Sequence, residues 1–329
     1  MIISRTPLRI SFVGGATDLP EFCDVHGGAV VSTTIDKRVH VVVAPRFEGD
    51  IRVAYSRTEI VDTAKEVQHE LVREALRTTG LPRGLDILTL ADVPSHGTGL
   101  GSSSAVMVGL LNALYAYQGV YKSPFELAEE ACRIEIDVLG KPIGRQDQFA
   151  TAIGGLNFIE FLPSDGGVRV EPLVCPPRTL ERLHRSMLFF FTGTKRSSDD
   201  ILHEQARRIA EGQSTDALIR MRDLAYAFRE QLTAGDHDVG SLLHTNWELK
   251  QTLAKGVSTK GVDVWYERAL AAGATGGKLL GAGGGGFLLV IAPPERHAKV
   301  RHELSELREV PIHFSARGTQ IMFREQAVG

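Results

Sequence analysis

The sequence is poor in cysteine and carries little net charge. Its 329 residues include three cysteines, Cys23, Cys132 and Cys175, an odd number without the spacing of a zinc site. Such cysteine usage argues against a disulfide framework and fits a reducing cytoplasm. The formal charge of −3 gives no electrostatic basis for binding nucleic acid or an anionic membrane.

Long hydrophobic runs are also absent. The longest stretch without Asp, Glu, Lys or Arg covers residues 93–121, and its apolar part, 105–117, is too short to cross a bilayer. The start of the sequence shows no basic segment followed by an apolar one, so no signal peptide is visible. We therefore expect a soluble cytoplasmic protein. The sequence does not determine the oligomeric state of the protein, and a homo-oligomer is one of the states it allows.

Hydrophobic patterning predicts an α+β protein. Strands are predicted at 38–44, 85–90, 168–173, 187–192, 287–291 and 319–323, and helices at 103–117, 124–139, 198–211, 217–232, 239–253, 263–272 and 294–307. The helix at 124 begins with Ser123-Pro-Phe-Glu126, a full capping box. Strands dominate the first third and helices the part after residue 198. We expect two lobes, 1–183 and 184–329.

Glycine, in contrast, is abundant, with 34 residues, many of them in clusters. The most informative cluster is Pro94-Ser-His-Gly-Thr-Gly-Leu-Gly-Ser-Ser-Ser-Ala105, which runs into an apolar helical pattern. Glycines let the backbone approach a ligand closely, and the unpaired N–H groups at a helix start bind phosphate. The serine hydroxyls can reach a phosphate oxygen or its magnesium. Taken alone, the stretch is equally well explained as a plain loop.

A second glycine turn ends the predicted strand in Arg5-Thr-Pro-Leu-Arg-Ile-Ser-Phe-Val-Gly-Gly-Ala-Thr-Asp18. It lacks the Gly-x-Gly-x-x-Gly pattern of dinucleotide binding. Arg9 lies among apolar residues, where an unpaired guanidinium is costly. Taken alone, Arg9 is also explained by a salt bridge on an edge strand, and Asp18 by capping of the turn.

The third cluster places six glycines between Gly277 and Gly286, directly before the predicted strand 287–291. Six are more than a tight turn requires, so we expect a ligand or another backbone segment to pack against them. The P-loop pattern G-x-x-x-x-G-K-[ST] is not met, because Leu279 follows Lys278 and the leading glycine is missing. Protein-kinase signatures are missing as well.

Two carboxylates separate the second and third clusters along the chain. Glu135 lies in the apolar stripe of the predicted helix 124–139, where desolvation disfavours a glutamate unless a cation meets it. It is either half of a buried ion pair or a magnesium ligand. Asp147 follows in Gly140-Lys-Pro-Ile-Gly-Arg-Gln-Asp-Gln-Phe149, where the polar residues also serve to cap the next helix.

Three glycine motifs in this order, with the acidic pair between two of them, resemble the GHMP kinase superfamily of galactokinase, homoserine, mevalonate and phosphomevalonate kinases. The resemblance covers essentially the whole chain. It implies the two-lobed α+β GHMP kinase fold, with an α/β N-terminal lobe of the kind found in a small-subunit ribosomal protein and a ferredoxin-like C-terminal lobe. It also implies ATP and Mg²⁺ as cofactors.

The resemblance assigns roles to individual residues. Arg9 and Asp147 stand at the catalytic positions, and Ser103 and Glu135 at the magnesium positions. The ATP-binding residues are implied to be Pro94, Gly97, Thr98, Gly99, Leu100, Gly101, Ser102, Ser103 and Ser104. Asp18 stands where galactokinase binds a sugar hydroxyl, and the substrate site is completed by Gly15, Thr17, Arg145, Lys195, Arg196, Gly283 and Gly284.

Within the superfamily, the 140–149 segment and Phe191-Thr-Gly-Thr-Lys-Arg196 look like the sugar 1-kinases of heptose metabolism. The implied reaction phosphorylates the anomeric hydroxyl of a heptose 7-phosphate to the 1,7-bisphosphate, for surface-polysaccharide precursors. Lys195 and Arg196 would anchor the substrate phosphate, although two adjacent cations on a loop are also commonly solvated. The alternatives are an L-fucokinase-like enzyme, a non-catalytic sugar and nucleotide sensor, or a decarboxylase of the mevalonate pathway.

Overall fold

The computed structural model describes residues 1–94, 97–164, 167–193, 199–236 and 238–325. Its strands are β1 (Ile2–Val13), β2 (Gly28–Pro45), β3 (Ile51–Ala54), β4 (Thr58–Val61), β5 (Leu85–Ala91), β6 (Leu156–Phe161), β7 (Val168–Pro172), β8 (Met187–Phe191), β9 (Gly276–Leu279), β10 (Phe287–Ile291), β11 (Arg308–Glu309), β12 (Phe314–Ser315) and β13 (Gln320–Arg324). Its α-helices are α1 (Pro20–His26), α2 (Glu70–Thr79), α3 (Ser102–Tyr117), α4 (Pro124–Cys132), α5 (Gln146–Ile153), α6 (Pro177–Ser186), α7 (Asp199–Ala210), α8 (Thr215–Thr233), α9 (Gly240–Gln251), α10 (Lys260–Ala271) and α11 (His297–Glu303). This mixture of helices and sheets confirms the expected α+β class.

A nine-stranded sheet forms the larger half of the framework, with the order β13-β1-β2-β5-β3-β4 and with β6, β7 and β12 attached through β2. Most of its pairs are antiparallel, while β3 and β5 run parallel. The helix α3 packs directly on β1, because Gly109 has no side chain: a Cβ atom there would lie 3.0 Å from the Thr6 hydroxyl. This close contact fixes the middle of α3 against the middle of β1.

A four-stranded sheet of order β11-β8-β10-β9 forms the second half. Its central strands read Met-Leu-Phe-Phe-Phe and Phe-Leu-Leu-Val-Ile, continuous apolar runs typical of strands covered on both faces. The last strands of the chain return to the larger sheet: β12 pairs with β2, and β13 pairs with β1. The lobe boundary at 183/184 remains a prediction.

Two predicted helices differ from the structure in type as well as in length. The predicted helix 124–139 is α-helical only to Cys132 and continues as a π-helical turn, Arg133–Val138. The predicted helix 294–307 consists of a 3₁₀ turn, Pro294–Arg296, followed by α11, which ends at Glu303. Among the described residues, no helix has both the length and the apolar character needed to cross a membrane.

Candidate active site

A cavity of about 730 Å³ opens between the start of α3, the turn after β1, the start of α5 and the glycine turn before β10. We call residues 97–104 the phosphate loop and Gly281–Gly286 the glycine turn. The cavity is lined by parts of all three glycine motifs and by Asp147. Residues far apart in the sequence thus share one site.

The phosphate loop has the conformation that glycine makes possible. Gly97, Gly99 and Gly101 have φ angles of 70°, 73° and 72°, a region that other residues rarely adopt. Gly101 is the N-cap of α3, so the N–H groups of the first turn have no partner within the helix. Of the predicted ATP-binding residues, Pro94 and the buried Leu100 do not line the cavity, whereas the others do. An anion in this cavity would face the N-terminus of a helix.

The glycine turn packs against the phosphate loop, backbone on backbone. A Cβ atom at Gly281 would lie 2.3 Å from the Gly99 Cα, and one at Gly286 would lie 2.6 Å from the Thr98 carbonyl oxygen. Both distances are impossible for real atoms, so these positions require glycine. Of the two turn residues predicted to bind substrate, Gly283 lines the cavity, whereas the buried Gly284 donates its N–H to the Val257 carbonyl at 3.1 Å.

Arg9 and Asp147 form a bidentate ion pair at the centre of the cavity. The Arg9 Nε and Nη2 atoms donate to the two Asp147 carboxylate oxygens at 2.7 and 2.6 Å, and Nη1 donates to the Gly99 carbonyl at 2.6 Å. Arg9 is not on a free strand edge: it pairs with Thr34 of β2 on one side, and on the other its N–H donates to the Leu100 carbonyl at 3.0 Å. The side chain of Asp147 is 23% exposed and that of Arg9 5%, so the carboxylate is the more accessible partner.

Asp18 is buried beside this pair and accepts three hydrogen bonds. Its Oδ1 accepts from the Ala16 N–H at 3.1 Å and from the Gln146 side-chain amide at 3.0 Å, while Oδ2 accepts from the Gln146 N–H at 3.0 Å. Burial raises the pKa of Asp18, and the charge of Asp147 acts in the same direction. Gly144 makes room for this carboxylate, because a Cβ atom there would lie 1.9 Å from Oδ2.

Glu135 is completely buried behind the phosphate loop, in the π-helical turn. The Ser103 hydroxyl donates to Oε1 at 2.9 Å and the Gln148 side-chain amide donates to Oε2 at 2.8 Å. Burial raises the pKa of Glu135. Within the described ranges, no basic side chain forms an ion pair with it; the nearby Lys141 pairs with Glu70 at 2.7 Å instead.

The donor set around Glu135 fits magnesium. A hydroxyl and a carboxylate beside a phosphate-binding loop are hard oxygen ligands, of the kind that hold Mg²⁺ together with substrate phosphates. No cluster of three or more His, Cys, Asp or Glu side chains suited to a metal is found in the part of the chain that the structure describes. The remaining ligands of a cation here would therefore be phosphate oxygens and water.

Two predicted substrate residues are engaged elsewhere. The Thr17 hydroxyl donates to the Ala29 carbonyl and accepts from the Ala29 N–H, both at 3.0 Å, which ties the turn after β1 to β2. Arg145 pairs with Asp24 at 3.2 Å and does not line the cavity, whereas Gly15 does. Lys195 and Arg196 lie outside the described residues.

Sequence reasoning missed several residues of this cavity, above all Lys250, Lys278 and Gln146. Lys250 of α9 donates its ammonium group to the Gly281 carbonyl. Lys278 of β9 donates to the Ser11 and Phe12 carbonyls at 2.9 and 3.1 Å and is 1% exposed. A lysine within a buried strand was the available signal for Lys278; nothing in the sequence alone places Lys250 beside Gly281.

Comparison with known proteins gives consistent matches. The family models of the GHMP kinase N-terminal and C-terminal domains match residues 57–155 and 228–309. A D-glycero-alpha-D-manno-heptose 7-phosphate kinase of Campylobacter jejuni is 30% identical over 90% of both chains. A bifunctional fucokinase/GDP-fucose pyrophosphorylase of Arabidopsis thaliana is 28% identical over 93% of this chain and 31% of its own length. The crystal structure of a D-glycero-D-manno-heptose 1-phosphate kinase from Bacteroides thetaiotaomicron aligns with a TM-score of 0.81 at 26% identity, covering 99% of this chain and 100% of the other.

Proposed function

The chain belongs to the GHMP kinase family, and from that premise we propose that it is an ATP-dependent kinase that phosphorylates the anomeric hydroxyl of D-glycero-D-manno-heptose 7-phosphate. The observation that carries the proposal is the Arg9 guanidinium, which joins the Asp147 carboxylate to the phosphate-loop carbonyl of Gly99. Acceptor and phosphate sites thus meet at one ion pair. The 1,7-bisphosphate would be the product.

The chemistry needs one proton acceptor and one cation at the point of transfer. The acceptor hydroxyl gives its proton to Asp147 while its oxygen forms a bond to the γ-phosphorus; the bond to the bridging oxygen breaks, and ADP leaves with the electron pair. Asp147 is accessible from the cavity and suited to this role. Arg9 stays charged throughout and offsets negative charge on the transferring group through its remaining N–H bonds.

Ser103 and Glu135 would hold Mg²⁺, which when bound neutralises charge on the ATP phosphates. The glycines of the phosphate loop bring backbone N–H groups to the same phosphates. Asp18, fixed by Ala16 and Gln146, would orient a sugar hydroxyl next to Asp147. Ser103, Asp18 and Asp147 line the cavity, whereas Glu135 lies behind it and contacts the lining residue Ser103.

The heptose 7-phosphate assignment is supported by the relative at 30% identity, which is named a heptose 7-phosphate kinase. The solved structure at 26% identity is named a heptose 1-phosphate kinase and supports only the broader class of heptose kinases. A heptose 7-phosphate substrate needs a cationic anchor remote from its anomeric carbon. We propose Lys195 and Arg196 for it, because they precede α7 in the sequence and combine two positive charges near a helix start.

The test is ADP release with a panel of acceptors: heptose 7-phosphate, unphosphorylated heptose, fucose, galactose and mevalonate. We expect heptose 7-phosphate to exceed unphosphorylated heptose by on the order of 2–4 kcal/mol in kcat/KM, as when a charged hydrogen-bonded pair is lost. Arg196→Ala should remove most of this preference and leave turnover of the unphosphorylated sugar unchanged. Equal kcat/KM for the two heptoses would overturn the anchor and the heptose-phosphate assignment, and preferred turnover of fucose would indicate a fucokinase.

A further inference from the structure

Lys250 is a buried cation at the reaction centre that the proposed mechanism leaves unused. It projects from α9, is 5% exposed, and lines the cavity. Its ammonium group donates to the Gly281 carbonyl, in the turn that packs on Gly99 of the phosphate loop. This contact places the positive charge of Lys250 beside the same part of the phosphate loop whose Gly99 carbonyl accepts from Arg9.

Lys250 is influenced electrostatically by the carboxylates of Asp18 and Asp147 but forms an ion pair with neither of them. Among the residues that the structure describes, it forms no ion pair, whereas the nearby Arg9 is neutralised by bidentate contact with Asp147. An ammonium group has three N–H donors, and one acceptor accounts for a single donor. A buried ammonium with free donors is costly unless an anion reaches it, and the cavity is the direction from which one can come.

Lys278, the other buried lysine, differs in this respect. Its ammonium group holds two carbonyls of β1, those of Ser11 and Phe12. These bonds join β9 to β1 at the point where the pairing of β1 with β2 shifts its register. Lys278 therefore has a structural role that the geometry already explains, and Lys250 does not.

We propose that Lys250 is a further catalytic residue, whose ammonium group binds the γ-phosphoryl group of ATP as it transfers to the acceptor. The inference rests on the proposed kinase reaction but not on the identity of the sugar. Lys250 remains protonated while the proton of the acceptor passes to Asp147. Its contribution grows as negative charge spreads over the transferring oxygens, so it acts on kcat more than on ATP binding.

The charges around Lys250 give the proposal a pH signature. Burial and the charge of Arg9 on β1 lower the pKa of Lys250 to about 8, although the negative charges of Asp18 and Asp147 act to raise it. Lys278 on β9 is the other basic group nearby, and burial lowers its pKa well below the usual value. We expect wild-type kcat/KM for ATP to fall above about pH 8 as the ammonium of the free enzyme deprotonates, because the pH dependence of kcat/KM reports groups of the free enzyme. Lys250→Arg, which keeps its charge, should lose this fall.

The decisive variant is Lys250→Met, a neutral side chain of similar length. We expect kcat to fall about 100-fold with little change in the KM for ATP, the usual effect of losing one donor to a transition-state oxygen. Thermal stability should stay equal or rise, because the variant removes a buried unpaired charge. In Lys250→Ala, added ethylammonium ions should restore part of kcat. Ethanol, a neutral molecule of similar size, serves as the control and should not restore it.

The measurement uses whichever acceptor the wild type phosphorylates, so the test of Lys250 remains valid even if the proposed sugar is wrong. Should no acceptor of the panel be used, equilibrium binding of ADP with aluminium fluoride, a mimic of the transferring group, takes its place. Lys250→Met should then weaken the fluoride-dependent gain in affinity and leave ADP binding unchanged. Three results would overturn the proposal. The first is a kcat of Lys250→Met within threefold of wild type, and the second is a loss of affinity for ADP alone as large as the loss with aluminium fluoride. The third is unfolding of Lys250→Met combined with a fall of activity at high pH in Lys250→Arg that equals that of the wild type.

Discussion

At the scale of single residues, the Arg9–Asp147 pair carries the first prediction. Asp147→Asn keeps an oxygen for Arg9 but removes the proton acceptor, so kcat should fall by about 10²–10⁴ with little effect on ATP binding. Steady-state kinetics and equilibrium ATP binding measure the two effects. Asp216→Asn, on the exposed side of α8, is the control. A full-rate Asp147→Asn enzyme would mean that this carboxylate only positions the substrate.

The second prediction concerns Glu135 and Ser103. Glu135→Gln and Ser103→Ala should each raise the magnesium concentration needed for half-maximal turnover, since the first removes the negative charge of the carboxylate and the second removes the hydroxyl ligand. Magnesium titrations of kcat provide the measurement, with Glu129→Gln on the exposed side of α4 as the control. Normal magnesium dependence of Glu135→Gln would show that the carboxylate only fixes Ser103 and Gln148.

Some residues of the cavity are readable from the sequence and others are not. Arg9 and Glu135 are conspicuous because each interrupts an apolar pattern, and the structure shows a partner or a donor set for each. Gln146 and Lys250 sit in ordinary polar positions of α5 and α9. Their nearness to Asp18 and Gly281 depends on how distant elements pack, which no local pattern encodes.

At the scale of elements, the contact between the glycine turn and the phosphate loop gives the third prediction. Gly281→Ala should weaken ATP binding and lower the free energy of unfolding by about 1–3 kcal/mol more than Gly49→Ala. The two glycines have nearly the same φ, 77° and 79°, but only Gly281 faces another backbone, while Gly49 has nothing within 4 Å. Urea unfolding and ATP titration measure the difference. Equal effects of the two substitutions would show that the close contact between Gly281 and Gly99 contributes nothing to the free energy of unfolding or to ATP binding.

Element boundaries were predictable where the pattern was strong. The strand at 287–291 coincides with β10, and the helix at 103–117 differs from α3 by one residue at its start. The π-helical turn after Cys132 was not predicted, because the same apolar spacing suits a regular helix. Such turns occur often at functional sites, and this one carries Glu135.

At the scale of the whole molecule, the sequence did not predict that the end of the chain returns to the first sheet. The sequence predicts a strand at 319–323 but not its partner, and in the structure β13 pairs with β1 at the opposite end of the chain. Pairing over such a distance in sequence is set by the complete fold. Thr319 marks this junction: its hydroxyl contacts the Thr6 hydroxyl at 2.8 Å and accepts from the Asn112 side-chain amide at 3.0 Å.

The fourth prediction tests this junction. Thr319→Val leaves the buried Thr6 hydroxyl without its partner, so the free energy of unfolding should fall by about 1–3 kcal/mol. Thr319→Ser keeps the hydroxyl and should lose much less. Urea unfolding of both variants provides the comparison. A loss in Thr319→Ser as large as that in Thr319→Val would contradict the prediction, since only the valine variant removes the hydroxyl.

The packing of Gly281 and Gly286 on the phosphate loop has a consequence for the order of events during synthesis. The loop leaves the ribosome early, but the segment that shapes its backbone follows almost two hundred residues later. Until that segment emerges, the nascent chain holds glycines free to sample many conformations and no ordered cradle for a nucleotide. Affinity for ATP should therefore arise late and abruptly in translation, when the two segments first meet.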